Sequence, residues 1–240
     1  MYNIYKTESM LEYNVDDFHN PHFSSHGISN KHMLICGPTG SGKSNFITNL
    51  IMQMADTFRK IIIVCKMTNG KIYKMLKAKL KDALQIMTLS ELPSLKNLEK
   101  PGQQLIIFDD FLTDSQKKLE DYVMYARKYG IMLAFLAQSF YATSGFIRAN
   151  ISYLVLLKIT NAKNTNLIAS TLGLSIDKET VQKIIKNATR HQMNVCIIDI
   201  ANGDMNKKIR RNWNEYYEIE DDEGEPINDV TLYKKTGLLN

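Results

Sequence analysis

The feature that most constrains this chain is a glycine-rich segment, GPTGSGKS, at positions 37–44. It matches the pattern G-x-x-x-x-G-K-[ST], in which glycines fold the backbone tightly and direct its N–H groups at phosphate oxygens. A short apolar run, Met33–Cys36, precedes the segment, and apolar residues at helical spacing follow it up to Met54. The pattern requires this order of strand, loop and helix. The sequence therefore predicts a P-loop that binds ATP.

Every residue of this loop is a predicted nucleotide contact. The candidates are Gly37, Pro38, Thr39, Gly40, Ser41, Gly42, Lys43 and Ser44. We expect Lys43 to reach the β- and γ-phosphates and the Ser44 hydroxyl to bind Mg²⁺. The positive end of the helix that begins near Lys43 adds to the attraction for phosphate.

Two carboxylates end the next strongly apolar run, at residues 105–108. In P-loop enzymes one such aspartate holds Mg²⁺, and a second carboxylate can orient or deprotonate the attacking water. We assign Asp109 to the metal and Asp110 to the water. The alternative is that the pair only begins a turn, because turns favour aspartate.

A polar amide, Gln138, ends the apolar run Ile131–Ala137. Beside a phosphate site it could sense the γ-phosphate or hold the water, or it could be an ordinary turn residue. A strand with such a tip favours the ATPases whose sheet inserts an extra strand between the P-loop strand and the acidic strand. The guanine-binding pattern N-K-x-D is absent, since residues 161–164 end in asparagine.

Two arginines flank the same run and are candidate arginine fingers. Arg127 ends a helix predicted over residues 113–129, and Arg148 follows the turn after Gln138. A guanidinium stabilises charge on the transferring phosphoryl group, often from a neighbouring subunit. A surface salt bridge is the alternative for either residue.

The order of elements predicts an α/β fold. Strands are expected at residues 33–36, 61–65, 105–108, 131–137 and 153–159, and helices at 45–54, 71–84, 113–129 and after Asp177. This alternation favours a P-loop NTPase with a mainly parallel central sheet and helices on both faces. Residues 194–200 and 207–213 predict a terminal hairpin. We divide the chain into an N-terminal arm (1–30), an ATPase domain (31–215) and an acidic C-terminal tail (216–240).

The composition excludes several classes of protein. The chain has 240 residues, of which 44% are hydrophobic and 23% charged, so it is neither collagen-like nor wholly disordered. Its longest apolar stretch, Ile131–Ala137, is much shorter than the about 20 residues of a membrane span. No signal peptide is predicted. The cysteines lie in apolar runs, which indicates a reducing compartment, and the net charge of +5 permits nucleic-acid binding.

Three segments together resemble the viral genome-packaging ATPases of the FtsK–HerA superfamily, in particular the poxvirus-like and virophage-like ones. They are GPTGSGKS, LIIFDDF and the run of residues 125–158. The resemblance covers about residues 30–160. It implies a ring, a pentamer or hexamer, that pulls double-stranded DNA into a preformed capsid by hydrolysing ATP with Mg²⁺. By matching motif, it implicates Lys43, Ser44, Asp109, Asp110 and Gln138, with Arg127 as the trans-acting arginine. Many relatives carry Glu where Asp110 stands and His where Lys128 stands.

The same resemblance implies partners at the capsid or its portal vertex, and a location in the host cytoplasm, at the virus factory, or in the virion. Two basic segments are candidate DNA contacts: Lys71, Lys74, Lys77 and Lys81 on one helix face, and Lys207, Lys208, Arg210 and Arg211 near Trp213. Each could instead be an ordinary solvated surface. The functional alternatives are a related motor (a helicase or conjugation-type pump), a small-molecule phosphotransferase or a non-catalytic nucleotide-binding protein.

Overall fold

The structure is a computed structural model that describes residues 31–54, 57–98, 103–111, 119–158, 162–171, 176–218 and 231–234. The predicted N-terminal arm lies outside these ranges, as do residues 219–230 and 235–240 of the predicted tail. Among the described helices, none has the length and apolarity needed to cross a bilayer.

Within the described ranges, one ten-stranded sheet organises the chain. Its strands are β1 (Met33–Cys36), β2 (Lys60–Val64), β3 (Leu84–Met87), β4 (Gln104–Asp109), β5 (Ile131–Ala137), β6 (Tyr153–Leu156), β7 (Cys196–Asp199), β8 (Ile209–Arg211), β9 (Glu215–Glu218) and β10 (Thr231–Lys234). They lie in the order β10-β9-β8-β7-β6-β1-β5-β4-β2-β3. The six strands from β6 to β3 in this order are parallel, and β7 to β10 extend the sheet antiparallel.

The predicted insertion of a strand is confirmed. β5 pairs with the P-loop strand β1 on one side and with the acidic strand β4 on the other. Because all three strands are parallel, their carboxyl ends meet at one edge, and the segments that follow them come together there.

Helices cover both faces of the sheet. They are α1 (Lys43–Gln53), α2 (Lys71–Leu80), α3 (Glu120–Tyr125), α4 (Gly145–Asn150), α5 (Ala162–Thr171), α6 (Lys178–Ala188) and α7 (Met205–Lys208), with short 3₁₀ helices at Lys81–Ala83, Leu95–Asn97 and Ala126–Tyr129. α1 and α2 pack into one apolar cluster, whereas α3, α4 and α6 pack into another on the opposite face. The sheet divides them, since successive strand residues point to opposite faces. Leu34 accordingly joins one cluster and Ile35 the other.

Local sequence signals explain several boundaries. Asp177 caps α6 as predicted, because its side chain accepts a hydrogen bond from the Thr180 backbone N–H at 2.9 Å. The helix predicted over residues 113–129 is described from residue 119, as α3 and the 3₁₀ helix after it. Its predicted start lies outside the described residues.

Three elements differ from the sequence predictions. The helix predicted to reach residue 84 ends at Leu80, and an edge strand, β3, follows after a 3₁₀ turn. β7 and β8 pair antiparallel as expected of the hairpin, but residues 205–208 form the short helix α7 rather than the start of a strand. The sheet also continues beyond residue 215, where we expected the ATPase domain to end, since β9 pairs with both β8 and β10.

Candidate nucleotide site

The glycine-rich loop lies at the carboxyl edge of the sheet, between β1 and α1. Its first residue, Gly37, donates a backbone hydrogen bond of 3.1 Å to the Ala137 carbonyl at the end of β5. A side chain at Gly37 would not fit, because a Cβ there would lie 2.7 Å from the backbone oxygen of Leu157. Gly42 caps α1 with a φ of +100°, which residues other than glycine rarely adopt. These two glycines hold the loop against β5 and β6.

Lys43, the first residue of α1, turns its side chain back over this loop. Its Nζ donates to the carbonyl oxygens of Gly37 at 2.7 Å and Pro38 at 3.0 Å. Partial burial lowers the pKa of Lys43, while the negative charge of Asp109 opposes that shift. The ammonium group is therefore already positioned at the loop and faces the acidic end of β4.

Asp109 forms the end of β4 and lies beside Ser44 and the buried side chain of Tyr73. The Tyr73 hydroxyl donates a hydrogen bond to Oδ2 of Asp109 and has the Ser44 side chain as a further polar neighbour. Burial raises the pKa of Asp109, and the hydrogen bond from Tyr73 works in the opposite direction. Burial also raises the pKa of Tyr73, so this hydroxyl keeps its proton and acts as the donor.

Tyr73 was not predicted from the sequence, which singled out only the lysines of α2 as candidate contacts. The structure buries Tyr73 and Leu76, whereas Met75 is 45% exposed. A signal was present, since residues 73, 76 and 80 are apolar or aromatic at the i, i+3, i+7 spacing of a helix face. That spacing predicts burial, but it does not indicate which carboxylate a tyrosine hydroxyl would contact.

Asp110 follows β4 with a left-handed backbone, at φ 56°. Asp and Asn tolerate this conformation better than most residues, and such positions cluster at functional sites. Its exposed carboxylate accepts a hydrogen bond of 3.2 Å from Nε2 of Gln138, which follows β5. Gln138 therefore orients Asp110 directly, an arrangement that neither sequence hypothesis for the glutamine included.

These groups line one cleft of about 360 Å³ at the carboxyl edge of the sheet. Its lining residues are Thr39, Gly40, Gly42, Lys43, Ser44, Asn45, Asp109, Asp110, Leu136 and Gln138. The structure thus brings together Lys43, both aspartates and the glutamine that the sequence placed on three separate segments.

The donor set of the cleft fits a magnesium nucleotide. Ser44 and Asp109 offer hydroxyl and carboxylate oxygens, the ligand type that Mg²⁺ prefers. A Cβ at Gly40 would meet no atom within 4 Å, so the surface of the loop is open there. The N-terminal end of α1, with its unpaired N–H groups and positive dipole, lies at the same point.

Arg148 does not behave as a free finger. Its Nη1 donates to the carbonyl oxygens of Phe140 at 3.2 Å, Tyr141 at 3.2 Å and Thr143 at 2.7 Å, and its guanidinium lies over the Phe140 ring. The side chain therefore fixes the turn after β5 within its own subunit. These hydrogen bonds to carbonyl groups differ from the surface salt bridge that was the alternative for Arg148.

Arg127 is exposed and lies at the opposite edge of the sheet, in the 3₁₀ helix that precedes β5. The seven residues of β5 separate it from Gln138, a distance of about 20 Å at the rise of a strand. Arg127 is consequently outside the cleft of its own subunit.

The two basic segments differ in their contacts. Lys71 and Lys74 are exposed on α2, but Lys77 donates to the carbonyl oxygens of Lys81 and Leu84 beyond the helix end. In the second segment Lys207 pairs with Asp204 at 2.5 Å and Arg211 pairs with Glu215 at 2.5 Å. Arg210, in the same segment, is 1% exposed. Arg210 is thus part of the protein interior, and its assignment as a DNA contact was wrong.

A family model described as Poxvirus A32 protein matches residues 22–216. This chain belongs to that family. The match spans the P-loop, the acidic strand and β5, and it confirms the predicted resemblance to the packaging ATPases of poxviruses. A search among curated proteins finds no sequence match.

Solved structures share the fold of this family member at low sequence identity. The DNA-packaging ATPase B204 of Sulfolobus turreted icosahedral virus has a TM-score of 0.53 at 15% identity, covering 77% of this chain and 97% of its own. The AMP complex of B204 from Sulfolobus turreted icosahedral virus 2 has a TM-score of 0.56 at 14% identity, covering 77% and 98%. The pCW3 conjugation coupling protein TcpA with ATPγS has a TM-score of 0.51 at 13% identity, covering 77% and 60%.

Proposed function

We propose that this member of the Poxvirus A32 family is a magnesium-dependent ATPase that moves double-stranded DNA into a preformed viral capsid. The observation that carries the proposal is the cleft in which Lys43, Ser44, Asp109 and Asp110 meet, with β5 inserted between β1 and β4. The B204 proteins, which have this fold, are described as DNA-packaging or genome-packaging enzymes, and one is described in complex with ATPγS.

Each side chain of the cleft has a role in this proposal. Lys43 stabilises negative charge that grows on the β- and γ-phosphates, because its ammonium group already faces the loop. Ser44 and Asp109 would hold Mg²⁺, which would neutralise charge on the phosphate oxygens. Asp110 accepts the proton of the attacking water, and the amide of Gln138 keeps the carboxylate of Asp110 in one orientation.

The proposed working form is a homo-oligomeric ring, a pentamer or hexamer. Arg127 supports this proposal, because its guanidinium is exposed and lies about 20 Å from its own cleft, where a neighbouring subunit could approach it. We assign the trans-acting role to Arg127 and not to Arg148, whose guanidinium is bound to carbonyl groups of its own chain.

The proposed DNA contact is the exposed face of α2, with Lys71 and Lys74. This helix also carries Tyr73, whose hydroxyl donates to Asp109 of the nucleotide cleft, so the same short element contacts both regions. Phosphate contacts of this kind carry no sequence information, which suits a motor that moves any sequence. Further proposed partners are proteins of the capsid or its portal vertex, and the proposed location is the virus factory in the host cytoplasm or the virion.

The test is ATP hydrolysis by the full chain with and without duplex DNA, over a series of salt concentrations. We expect DNA to stimulate hydrolysis, and the logarithm of DNA affinity to fall with the logarithm of salt at a slope of about −0.9 per phosphate contacted. Lys43→Ala should abolish hydrolysis. If that variant keeps more than about a tenth of the wild-type kcat, a loss below ~1.4 kcal/mol, the assigned role of Lys43 is wrong.

A matched pair of variants tests the DNA surface. Lys71→Ala with Lys74→Ala should reduce the salt slope by about 1 for each phosphate that the lysines no longer neutralise. Lys178→Ala with Lys186→Ala removes two exposed lysines from α6, on the opposite face of the sheet, and should leave the slope unchanged. Equal effects of the two pairs would contradict the α2 surface.

The alternative is a related DNA motor, such as a conjugation-type pump or helicase. The fold shared with TcpA is the observation that supports this alternative. Duplex unwinding by the purified protein would favour a helicase, whereas ATP-dependent uptake of DNA by empty capsids would favour packaging. Hydrolysis indifferent to DNA, with no DNA binding at about 50 mM salt, would instead favour a phosphotransferase or a nucleotide-binding protein.

A further inference from the structure

Tyr73 makes a contact that its position in the core does not require. The side chain is 5% exposed, and a buried tyrosine hydroxyl needs a hydrogen-bond partner. Tyr122, another buried tyrosine, meets this need with the backbone carbonyl of Pro93. Tyr73 instead donates to the Asp109 carboxylate and has the Ser44 side chain as a further polar neighbour.

These two neighbours are the pair of side chains assigned above to Mg²⁺. They come from different elements, because Asp109 ends β4 and Ser44 is the second residue of α1. A hydrogen bond to a carboxylate is stronger and more directional than one between neutral groups. One hydroxyl on α2 is therefore bonded to the end of β4 beside the start of α1, at the point where a metal ligand set must be assembled.

We propose that Tyr73 is a positioning residue for magnesium binding: its hydroxyl fixes the orientation of the Asp109 carboxylate beside the Ser44 hydroxyl. The proposal rests on the proposed function, since it assigns a role toward the metal of that same site. The position of the hydroxyl is itself fixed, because Leu76, one turn along α2, is fully buried and α2 packs against α1.

A pre-arranged ligand pair binds an ion more tightly than a mobile one, because less conformational freedom is lost on binding. Removing only the hydroxyl should leave nucleotide contacts with the loop intact and weaken the contribution of the metal. This separation of effects distinguishes positioning from general support of the core, which would weaken nucleotide binding with and without the metal.

The experiment is calorimetric titration of the full-length Tyr73→Phe protein with ATPγS, once in EDTA and once in Mg²⁺. The measured quantity is the ratio of the two dissociation constants. We expect Tyr73→Phe to reduce the gain from Mg²⁺ about tenfold, while the constant in EDTA stays within about twofold of wild type. Tyr122→Phe removes a buried, hydrogen-bonded hydroxyl away from the cleft and should change neither value.

A double-mutant cycle with Asp109→Asn tests whether the effect runs through that carboxylate. In the Asp109→Asn background, Tyr73→Phe should reduce the metal-dependent gain by much less than in wild type, since the partner charge is absent. Thermal melts in EDTA check that Tyr73→Phe folds. If it does not, Tyr73→Met, which keeps a large apolar side chain without the hydroxyl, takes its place in the same titrations, and an unchanged metal-dependent gain in that variant overturns the proposal.

Other results are equally decisive. An unchanged metal-dependent gain, an equal loss in EDTA and Mg²⁺, or tighter Mg²⁺ binding would each overturn the positioning role, the last because the hydroxyl would then compete with the ion. If wild type hydrolyses ATP with DNA stimulation while Tyr73→Phe shows one of these patterns, only the Tyr73 proposal fails. Absence of ATPγS binding by wild type would overturn both proposals.

Discussion

The polar side chains at the two ends of β5 lie in opposite environments, one exposed and one buried. At the carboxyl end, Gln138 is exposed and bonded to Asp110, whose backbone is held in the left-handed region. At the amino end, His32 is 1% exposed, and both of its ring nitrogens are engaged. Nδ1 accepts from the Leu133 backbone N–H at 3.2 Å, and Nε2 lies 3.3 Å from the Val123 carbonyl oxygen.

We call the carboxyl edge of the parallel strands the reactive edge and their amino edge the structural edge. Open, charged and strained groups collect where the parallel strands end, whereas His32 at the opposite edge is buried with both ring nitrogens hydrogen-bonded. Arg127 is exposed at the structural edge, and this position fits the trans-acting role proposed for it. Variants at the two edges should therefore differ in what they impair, from the largest expected effect to the smallest.

Arg127→Ala should bind ATP normally and hydrolyse it about 10³–10⁵-fold more slowly, the range seen for arginine fingers. Mixing it with Lys43→Ala subunits should restore part of the activity, because some interfaces then join an intact P-loop to an intact arginine. Hydrolysis rates of each variant and of the mixture measure this effect. Activity that does not rise as rings assemble, together with no rescue in the mixture, would place Arg127 among ordinary surface residues of the structural edge.

Asp110→Asn should retain ATP but lose about 10²–10⁴-fold in kcat, the usual contribution of a general base. The variant is well matched, because asparagine also tolerates the left-handed backbone and its Oδ1 can still accept from Gln138. Asp109→Asn should instead weaken Mg²⁺ dependence and nucleotide binding together. Nucleotide affinity and single-turnover rates distinguish the two, and the reverse pattern would exchange the roles of the aspartates.

His32 should make folding stability dependent on pH below neutrality. Burial, with a smaller contribution from the positive charge of Arg127, lowers the pKa of His32 to about 4. Between about pH 6.5 and 4, His32 is protonated in the unfolded chain but stays neutral in the native state. The free energy of unfolding should therefore fall by about 3 kcal/mol as the pH drops across this window.

The matched variant for this effect is His32→Gln, whose amide still offers a hydrogen-bond donor and an acceptor but does not titrate. Denaturant unfolding of both proteins from pH 7 to pH 4 measures the difference, in which the contributions of all other groups cancel. Parallel curves for the two proteins would show that the histidine contributes nothing to acid sensitivity.

Arg148→Ala should lower the free energy of unfolding by about 2 kcal/mol, because it removes charged hydrogen bonds to the turn that follows β5. Mixed with Lys43→Ala subunits it should show no rescue beyond what its folded fraction explains. If mixtures with Arg148→Ala are rescued and mixtures with Arg127→Ala are not, Arg148 is the finger and Arg127 has no role in hydrolysis.

The sequence predicted the parts of the site that depend on local chemistry. The P-loop was recognisable because its glycines, lysine and serine must stand at fixed spacing to surround phosphates. Asp109, Asp110 and Gln138 were recognisable because each follows an apolar run typical of a buried strand. The inserted position of β5 was inferred from its polar tip, and the pairing of β5 with β1 and β4 confirms it.

The strands at the two sides of the sheet were harder to predict. β3 is a four-residue strand directly after a helix and a 3₁₀ turn, and its residues continue the apolar pattern of that helix. β9 and β10 precede and follow an acidic stretch whose composition favours a tail. Short edge strands carry little periodic signal of their own, so pairing with a neighbour decides whether they form.

By itself, then, the sequence determined the elements whose reason is local: the phosphate loop, the buried strands and the carboxylates at a strand end. Only the tertiary structure decided which distant groups meet. It placed the Tyr73 hydroxyl on Asp109, bound Arg148 to three carbonyl oxygens, and buried Arg210 against the Tyr216 ring. Such contacts join residues of different elements, and their partners are chosen by how helices pack on the sheet, which no spacing along the chain records.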